Sequence, residues 1–321
     1  MSDLLFIGPI TLDDIVTADG RLHPEELGGG AVYAAVGARL WSDSVALAAR
    51  VPDAFPMSRL EALERAGIQI DGVEPSAGAM SFHTFFAYET VGRRLDGRRA
   101  GHYLRAGQAL PVYWREAPPH SLQELPDPPP PAAVSQAKQV HMASLPLNPA
   151  TLMCAELKRQ GHVWLSLDPN SGQLNSEQWP GFKLLLHDVD VLLISARQAA
   201  QLFRPTGPGL TEMAEELGSC GPQIVVIKCG GQGQIVYLSS SGEHWQLPPY
   251  PARLVDVTGA GHAFCGGFSA GWLATQDPVE AALWGGVSAS FAIEGTGPLY
   301  PLESAPGLAE ARLASLRQAA F

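Results

Sequence analysis

The chain is poor in cysteine and in positive charge, and it has no long apolar run. Its four cysteines, Cys154, Cys220, Cys229 and Cys265, form no CxxC pair, and no histidine stands at metal-ligand spacing from them. That pattern excludes a disulfide scaffold and a zinc module, and it implies reduced thiols and a cytoplasmic setting. Lys and Arg total 21 against 32 Asp and Glu, a net charge of -11, so nothing in the composition attracts nucleic acid. No apolar stretch reaches the roughly 18 residues that a spanning helix needs, and the opening MSDLLFIGPITLDD turns acidic too early for a signal peptide. There is no internal repeat.

What is present is a soluble chain of 321 residues, 46% hydrophobic, long enough to bury a large core. Leu4 to Gly8 reads as a buried strand entering a loop, Gly28-Gly29-Gly30 opens an Ala-rich helix to Trp41, and Ser44 to Val51 is a second strand followed by a helix over Ser58 to Gly67. The alternation resumes with strands at 139–143, 163–167, 189–194, 224–228 and 234–238. Helices are expected at 149–160, 196–203, 210–217, 263–274, 278–293 and 308–320. Alternating strands and helices predict an α/β fold with a mostly parallel sheet and helices on both faces. Residues 81–104 differ. Their aromatic and β-branched residues and the Asp96-Gly97 pair predict an inserted hairpin or small sheet. Pro126 to Pro131 is read as a surface loop.

Arg93, Arg94, Arg98, Arg99 and Arg105 are either a solvated face or a local attraction for an anionic ligand. His83, His102 and His141 fall on expected strands and read as packed or edge histidines. Trp41, Trp164, Trp272 and Trp284 read as core residues. A glycosidase-type carboxylate pair of Asp168 and Asp256 is set aside, because both fit sheet-end positions better.

The most informative segment is Val255 to Gly267, VDVTGAGHAFCGG. Two glycines around an alanine let the backbone turn sharply and point several N–H groups one way, and an apolar helix starts at once. The start of a helix attracts anions through those N–H groups and its dipole. A Cβ at Gly261 is expected to obstruct this cradle.

Asp256-Val257-Thr258-Gly259-Ala260-Gly261-His262 resembles the D-T-x-G-A-G-D signature of the ribokinase (PfkB) family of sugar and nucleoside kinases. Four further segments resemble that family in order. They are Asp13 or Asp14 after the first strand, Gly28-Gly29 before the Ala-rich helix, Leu167-Asp168-Pro169-Asn170, and Val226 to Gly233 (VIKCGGQG). The resemblance implies a ribokinase-like fold over residues 1–321 as one domain, with a small β lid from segments near 10–25 and 81–104. It implies a polyol substrate held by Asp13 or Asp14, Gly28, Gly29 and Tyr33. ATP would lie along Lys228, Gly230, Gly233, Thr258 and Ser288, and Gly259, Ala260 and Gly261 would form an anion hole. Lid edges in that family often pair, which makes a homodimer through the lid an expectation.

Three departures fall on the chemistry. His262 stands where the family has its catalytic Asp. The family's N-x-x-E, which organises Mg2+ beside the phosphates, is Ser195-Ala196-Arg197-Gln198 here. Tyr33 stands near the place of a substrate-facing Asn. A neutral imidazole can accept a proton, but neighbouring polyphosphate favours the imidazolium form, which cannot. The resemblance therefore implies binding of polyol and ATP with impaired transfer. The alternatives are an active kinase with His262 as base, and a structural partner within a complex.

Overall fold

The computed structural model describes residues 2–76, 82–90, 92–95, 99–116, 137–161, 163–203 and 209–320. In chain order the strands are β1 (Leu4–Ile7), β2 (Thr11–Val16), β3 (Leu22–Gly28), β4 (Val45–Pro52), β5 (Gln69–Ser76), β6 (His83–Thr90), β7 (Arg93–Arg94), β8 (Gln139–Ala143), β9 (Trp164–Asp168), β10 (Val191–Ser195), β11 (Ile224–Lys228), β12 (Gln234–Leu238) and β13 (Glu243–Leu247). The helices are α1 (Gly30–Arg39), α2 (Glu61–Arg65), α3 (Arg99–Arg105), α4 (Val112–Glu116), α5 (Leu147–Gln160), α6 (Trp179–Leu186), α7 (Ala196–Leu202), α8 (Leu210–Gly218), α9 (Ala260–Thr275), α10 (Pro278–Ala292) and α11 (Leu308–Ala320).

Nine strands form one sheet in the order β13-β12-β11-β10-β9-β8-β1-β4-β5. From β5 to β11 every pairing is parallel, and only β12 and β13 run antiparallel. The central strands are apolar runs because both their faces are covered. Along β1 the period of two divides the core. Leu5 and Ile7 pack with Met153, Leu157 and Phe182 on one face, while Leu4 and Phe6 pack with Val32, Val36 and Leu63 on the other. A parallel sheet brings its carboxyl ends to one edge, so Ala143, Asp168, Ser195 and Lys228 end their strands side by side.

Glycines set how closely α1 and α9 approach. A Cβ on Gly37 would lie 2.2 Å from the Ala263 oxygen, and one on Gly266 would lie 1.8 Å from the Ala34 oxygen. The two backbones are therefore in contact, and this contact fixes where α9 begins. Gly266→Ala should lower unfolding stability by about 2–3 kcal/mol, the scale of overpacking a filled site. Urea titration checks this, and an unchanged midpoint would mean that the two helices can separate without cost.

The second sheet has the order β3-β2-β6-β7. Its composition follows expectation, and β6 and β7 pair antiparallel inside the segment read as a hairpin or small sheet. β6 runs parallel to β2, with Leu12 opposite His83 and Val16 opposite Ala87. The stretch 99–105, read as strand, is helix α3, so His102 is helical. Tyr103 explains the change: it is fully buried, stacks on Phe85 and reaches the Asp14 carboxylate, a tertiary contact with no local signature. Asp96-Gly97 and Pro126 to Pro131 lie outside the described residues. β5 was not anticipated, and it contains Gly72 and Pro75, two residues that are poor strand formers. An edge strand tolerates both, and β5 is an edge. β13, α4 and α6 were likewise unanticipated. The tryptophans behave as core residues, Trp41 stacking on Trp284 and Trp164 on Trp272.

Candidate active site

The turn entering α9 is pinned before it reaches the helix. Asp256 Oδ1 accepts from the Thr258 backbone N–H at 2.9 Å and from Thr258 Oγ1 at 2.7 Å, and Tyr88 Oη meets the same hydroxyl at 2.7 Å. Gly259 follows with φ +76°, and a Cβ there would lie 2.1 Å from Cδ1 of Tyr33. The residue that requires glycine is thus Gly259. Gly261 has no positive φ, and its Cβ would meet only Lys228 Nζ at 3.6 Å, an ordinary contact. Gly261 and His262 lie in the first turn of α9, where N–H groups lack intrahelical acceptors.

His262 projects from that turn to the end of β9. Its Nδ1 lies 3.0 Å from Asp168 Oδ2, off the line of a good hydrogen bond. Gly30 leaves room for the ring, since a Cβ there would come within 3.0 Å of His262 Cε1. Lys228 Nζ donates to the same Asp168 oxygen at 2.8 Å and to the Gly261 oxygen at 3.2 Å. Burial alone would raise the Asp168 carboxyl, but Lys228 and then His262 hold it well below the usual carboxylate range. Burial would lower Lys228, and Asp168 and Cys265 more than reverse that. Cys265 Sγ lies 3.2 Å from Lys228 Nζ, and its thiol is pushed up, burial being the main cause. Beneath the cluster, His141 bonds Ser166 Oγ at 2.9 Å and is kept neutral by burial, its value lowered to about 3. His141 is therefore a packed histidine, as its strand position implied.

Two cavities meet at this turn. One, of about 670 Å³, is lined by Gly230, Gly233, Tyr250, Leu254, Val257, Phe264, Gly286 and Ile293 among others, and is chiefly apolar. The other, of about 580 Å³, is lined by Arg94, Ser144, Asp168, Ser195, Arg197, Gln198, Gly259 and His262 among others. Lys228, Gly230 and Gly261 line both. Ser144 holds φ +55°, a strained backbone of the kind that concentrates at functional sites.

Of the residues assigned to the nucleotide side, Lys228, Gly230 and Gly233 line the apolar cavity. Thr258 instead holds the turn. Ser288 is a correction. It is fully buried between helices, accepting from Trp41 Nε1 at 2.7 Å and donating to the Gly37 oxygen at 2.9 Å. Ser290, two residues on, faces the cavity instead.

Among the residues expected to hold a polyol, the two aspartates are separated by the pleat of β2. Asp13 lies against Gly28, where a Cβ would come 2.0 Å from Oδ2, and Oδ1 accepts from Thr11 at 2.7 Å and from Thr84. Asp14 is consumed on the other face by the Glu25 N–H at 2.8 Å, Tyr113 Oη at 2.7 Å, Trp114 Nε1 at 2.6 Å and Tyr103. Between the two, only Asp13 joins Gly28 and Tyr33. Gly29 has φ +98°, and a Cβ there would strike the Pro9 oxygen at 2.1 Å. The Tyr33 hydroxyl is buried with no partner among the described residues. Burial is the main cause that raises Asp13 to about 6. A carboxyl raised in the folded state is ionised against the fold, so the penalty is absent below pH 4 and complete above pH 6. Asp13→Asn should therefore be the more stable protein at pH 8. The gain is at most about 3 kcal/mol for two pH units, and it should vanish at pH 4. Paired denaturant titrations at the two pH values decide it, and a gain equal at both would contradict the assignment.

Ser195 and Gln198 form a capping box at the start of α7. Ser195 Oγ accepts from the Gln198 N–H at 3.2 Å, Gln198 Oε1 accepts from the Ser195 N–H at 2.8 Å, and Gln198 Nε2 donates to the Pro169 oxygen at 2.8 Å. Both side chains are engaged and neither is anionic. The one carboxylate among the described lining residues, Asp168, is already paired with Lys228. These residues do not fit the anchoring of a hydrated Mg2+. Sequence reasoning missed Arg197, although it lies inside the quoted Ser195–Gln198 segment, and Tyr250, which carries no local signal. Arg94 had been left between two readings. Its place on the cavity favours the anionic-ligand reading, whereas Arg93 pairs with Glu89 and Arg99 covers Trp114.

Comparison with known proteins gives a concordant result. The model of the pfkB family of carbohydrate kinases matches residues 106–305. A cytidine kinase of Thermococcus kodakarensis is 28% identical over 273 residues, which are 85% of this chain and 89% of that one. A putative ribokinase II of E. coli, solved in complex with ATP and Mg2+, superposes with a TM-score of 0.73 at 17% identity, covering 98% of this chain and 100% of the other. A nucleoside kinase of Methanocaldococcus jannaschii gives 0.68 at 18% identity, covering 98% of each chain. Among the described residues no helix is long and apolar enough to cross a membrane.

Proposed function

This chain belongs to the pfkB family of carbohydrate kinases, and from that premise we propose that it binds a nucleoside triphosphate and a polyol while transferring phosphate slowly or not at all. Residues 1–321 are read as one ribokinase-like domain. The base and sugar of the nucleotide occupy the apolar cavity by Tyr250 and Phe264, and its phosphates cross Lys228 and Gly230 to the start of α9. Gly259, Ala260 and Gly261 supply the anion cradle. The acceptor lies against Asp13, Gly28, Gly29 and Tyr33, under the four-stranded sheet acting as a lid, where the unpartnered Tyr33 hydroxyl is free to meet an acceptor hydroxyl. The cytidine kinase relative supports a nucleoside among the acceptor classes, beside sugars and cyclitols.

The observation that carries this reading is the junction of the two cavities at α9, with His262 in the base position. Phosphoryl transfer is mostly positioning and charge stabilisation, to which a base adds about 10²–10⁴-fold. The reading extends to a homodimer through the lid edge and to the cytoplasm, which the four free cysteines support.

A thermal-shift panel of sugars, nucleosides, cyclitols and nucleotides tests binding. A ligand at 100 times its Kd should add about 2.7 kcal/mol of stability. No shift with any polyol or nucleotide would leave the structural-partner reading in its place.

A further inference from the structure

The cavity beside α9 holds more fixed positive charge than its one carboxylate balances. Arg94, Arg197 and Lys228 face Asp168 alone among the described lining residues. Lys228 and Asp168 cancel at 2.8 Å, which leaves two guanidinium charges. Among the described residues neither arginine makes an ion pair. Arg94 lies over the Phe86 ring at 4.4 Å, and its charge reaches Asp13 as well as the cavity. Arg94 comes from β7 of the small sheet and Arg197 from the first turn of α7, so the two reach the cavity from separate elements.

Two guanidinium groups carry the charge of one divalent cation, and their planar forks match phosphate oxygens. They line the cavity in which Ser195 and Gln198 cannot anchor a hydrated metal. We propose that Arg94 and Arg197 neutralise the polyphosphate of a bound nucleoside triphosphate, so that the nucleotide binds without a divalent cation. This rests on the nucleotide reading above; it gives the anionic-ligand reading of Arg94 a specific ligand, and it assigns Arg197 a role that neither composition nor motif gave it.

Calorimetric titration of the full chain with ATP, in excess EDTA and then in excess Mg2+, tests the proposal. The expected Kd in EDTA is within about threefold of that in Mg2+. The double variant Arg94→Gln, Arg197→Gln should lose about 10–100-fold in EDTA, the scale of two charge-assisted contacts, and should recover part of that loss in Mg2+. Inorganic tripolyphosphate should compete with ATP on the parent in EDTA but not on the variant. AMP, with no polyphosphate, should bind both equally and shows that the variant is folded. ATP binding that requires Mg2+, or a double variant as tight as the parent in EDTA, would overturn the proposal while leaving the nucleotide reading intact. ATP bound in neither buffer would overturn both.

Discussion

Gly259→Val is expected to abolish nucleotide binding, with a loss of more than about 100-fold in affinity. Two effects act together. At φ +76° a β-branched side chain is in a backbone region it rarely enters, at a cost on the order of 1–3 kcal/mol. The added Cβ would also overlap the buried Tyr33 ring at 2.1 Å, so the turn must move or the ring must leave the core. Either response displaces the first N–H groups of α9, which Asp256 and Thr258 hold in place. Gly261→Ala is the control. Its Cβ has room, so the fold should be kept, and any loss of ATP affinity reports the ligand side of the cradle alone. Calorimetry with ATP on both variants, after circular dichroism has confirmed folding, separates the two. Parent-like affinity in a folded Gly259→Val protein would remove this turn from the site.

The second large effect is a gain. The triple change Ser195→Asn, Gln198→Glu, His262→Asp should raise phosphoryl transfer by at least about 10²-fold over the parent, the lower end of what a general base contributes. His262→Asp alone should do less, because Ser195 and Gln198 keep only their capping roles and add no charge at the phosphates. The surroundings favour an introduced carboxylate. Asp168 lies 3.0 Å from His262 Nδ1, and a like charge at that range makes the new group more basic. Lys228 on the same Asp168 oxygen limits the repulsion. Turnover is measured with γ-labelled ATP and whichever acceptor stabilises the fold. A triple variant no faster than the parent would mean that the pocket around the base has diverged beyond these three positions.

The residues that could be read in advance are those whose roles are local in sequence. Asp256 to His262 are consecutive, so their turn, the helix after it and the histidine standing where the resembled motif has its final Asp were legible without a fold. The central strands were legible because burial on both faces writes them as apolar runs. Legibility failed where a role depends on which way a helix or strand is turned. Ser288 and Ser290 are equivalent in sequence, and only packing against Trp41 and Gly37 puts the first in the core and the second on the cavity. Asp13 and Asp14 differ by one step of the pleat, which needed the pairing of β2 with β3 and β6. Arg94 reaches the cavity from β7, which pairs with β6, and β6 in turn lies parallel to β2 some seventy positions earlier in the chain, a contact that no window of sequence contains. The glycine at 259 was separable from that at 261 only once φ was known.

Single-turnover transfer from ATP by the parent protein, compared with His262→Ala, tests the central claim most directly. Kinases of this chemistry commonly turn over at 1–100 s⁻¹. The account predicts a parent rate at least about 10²-fold below that range, with ATP bound, and a His262→Ala rate close to the parent's, because a histidine that contributes no base catalysis leaves little to lose. A parent rate within the ordinary range that falls by about 10²-fold in His262→Ala would contradict it and establish His262 as the working base.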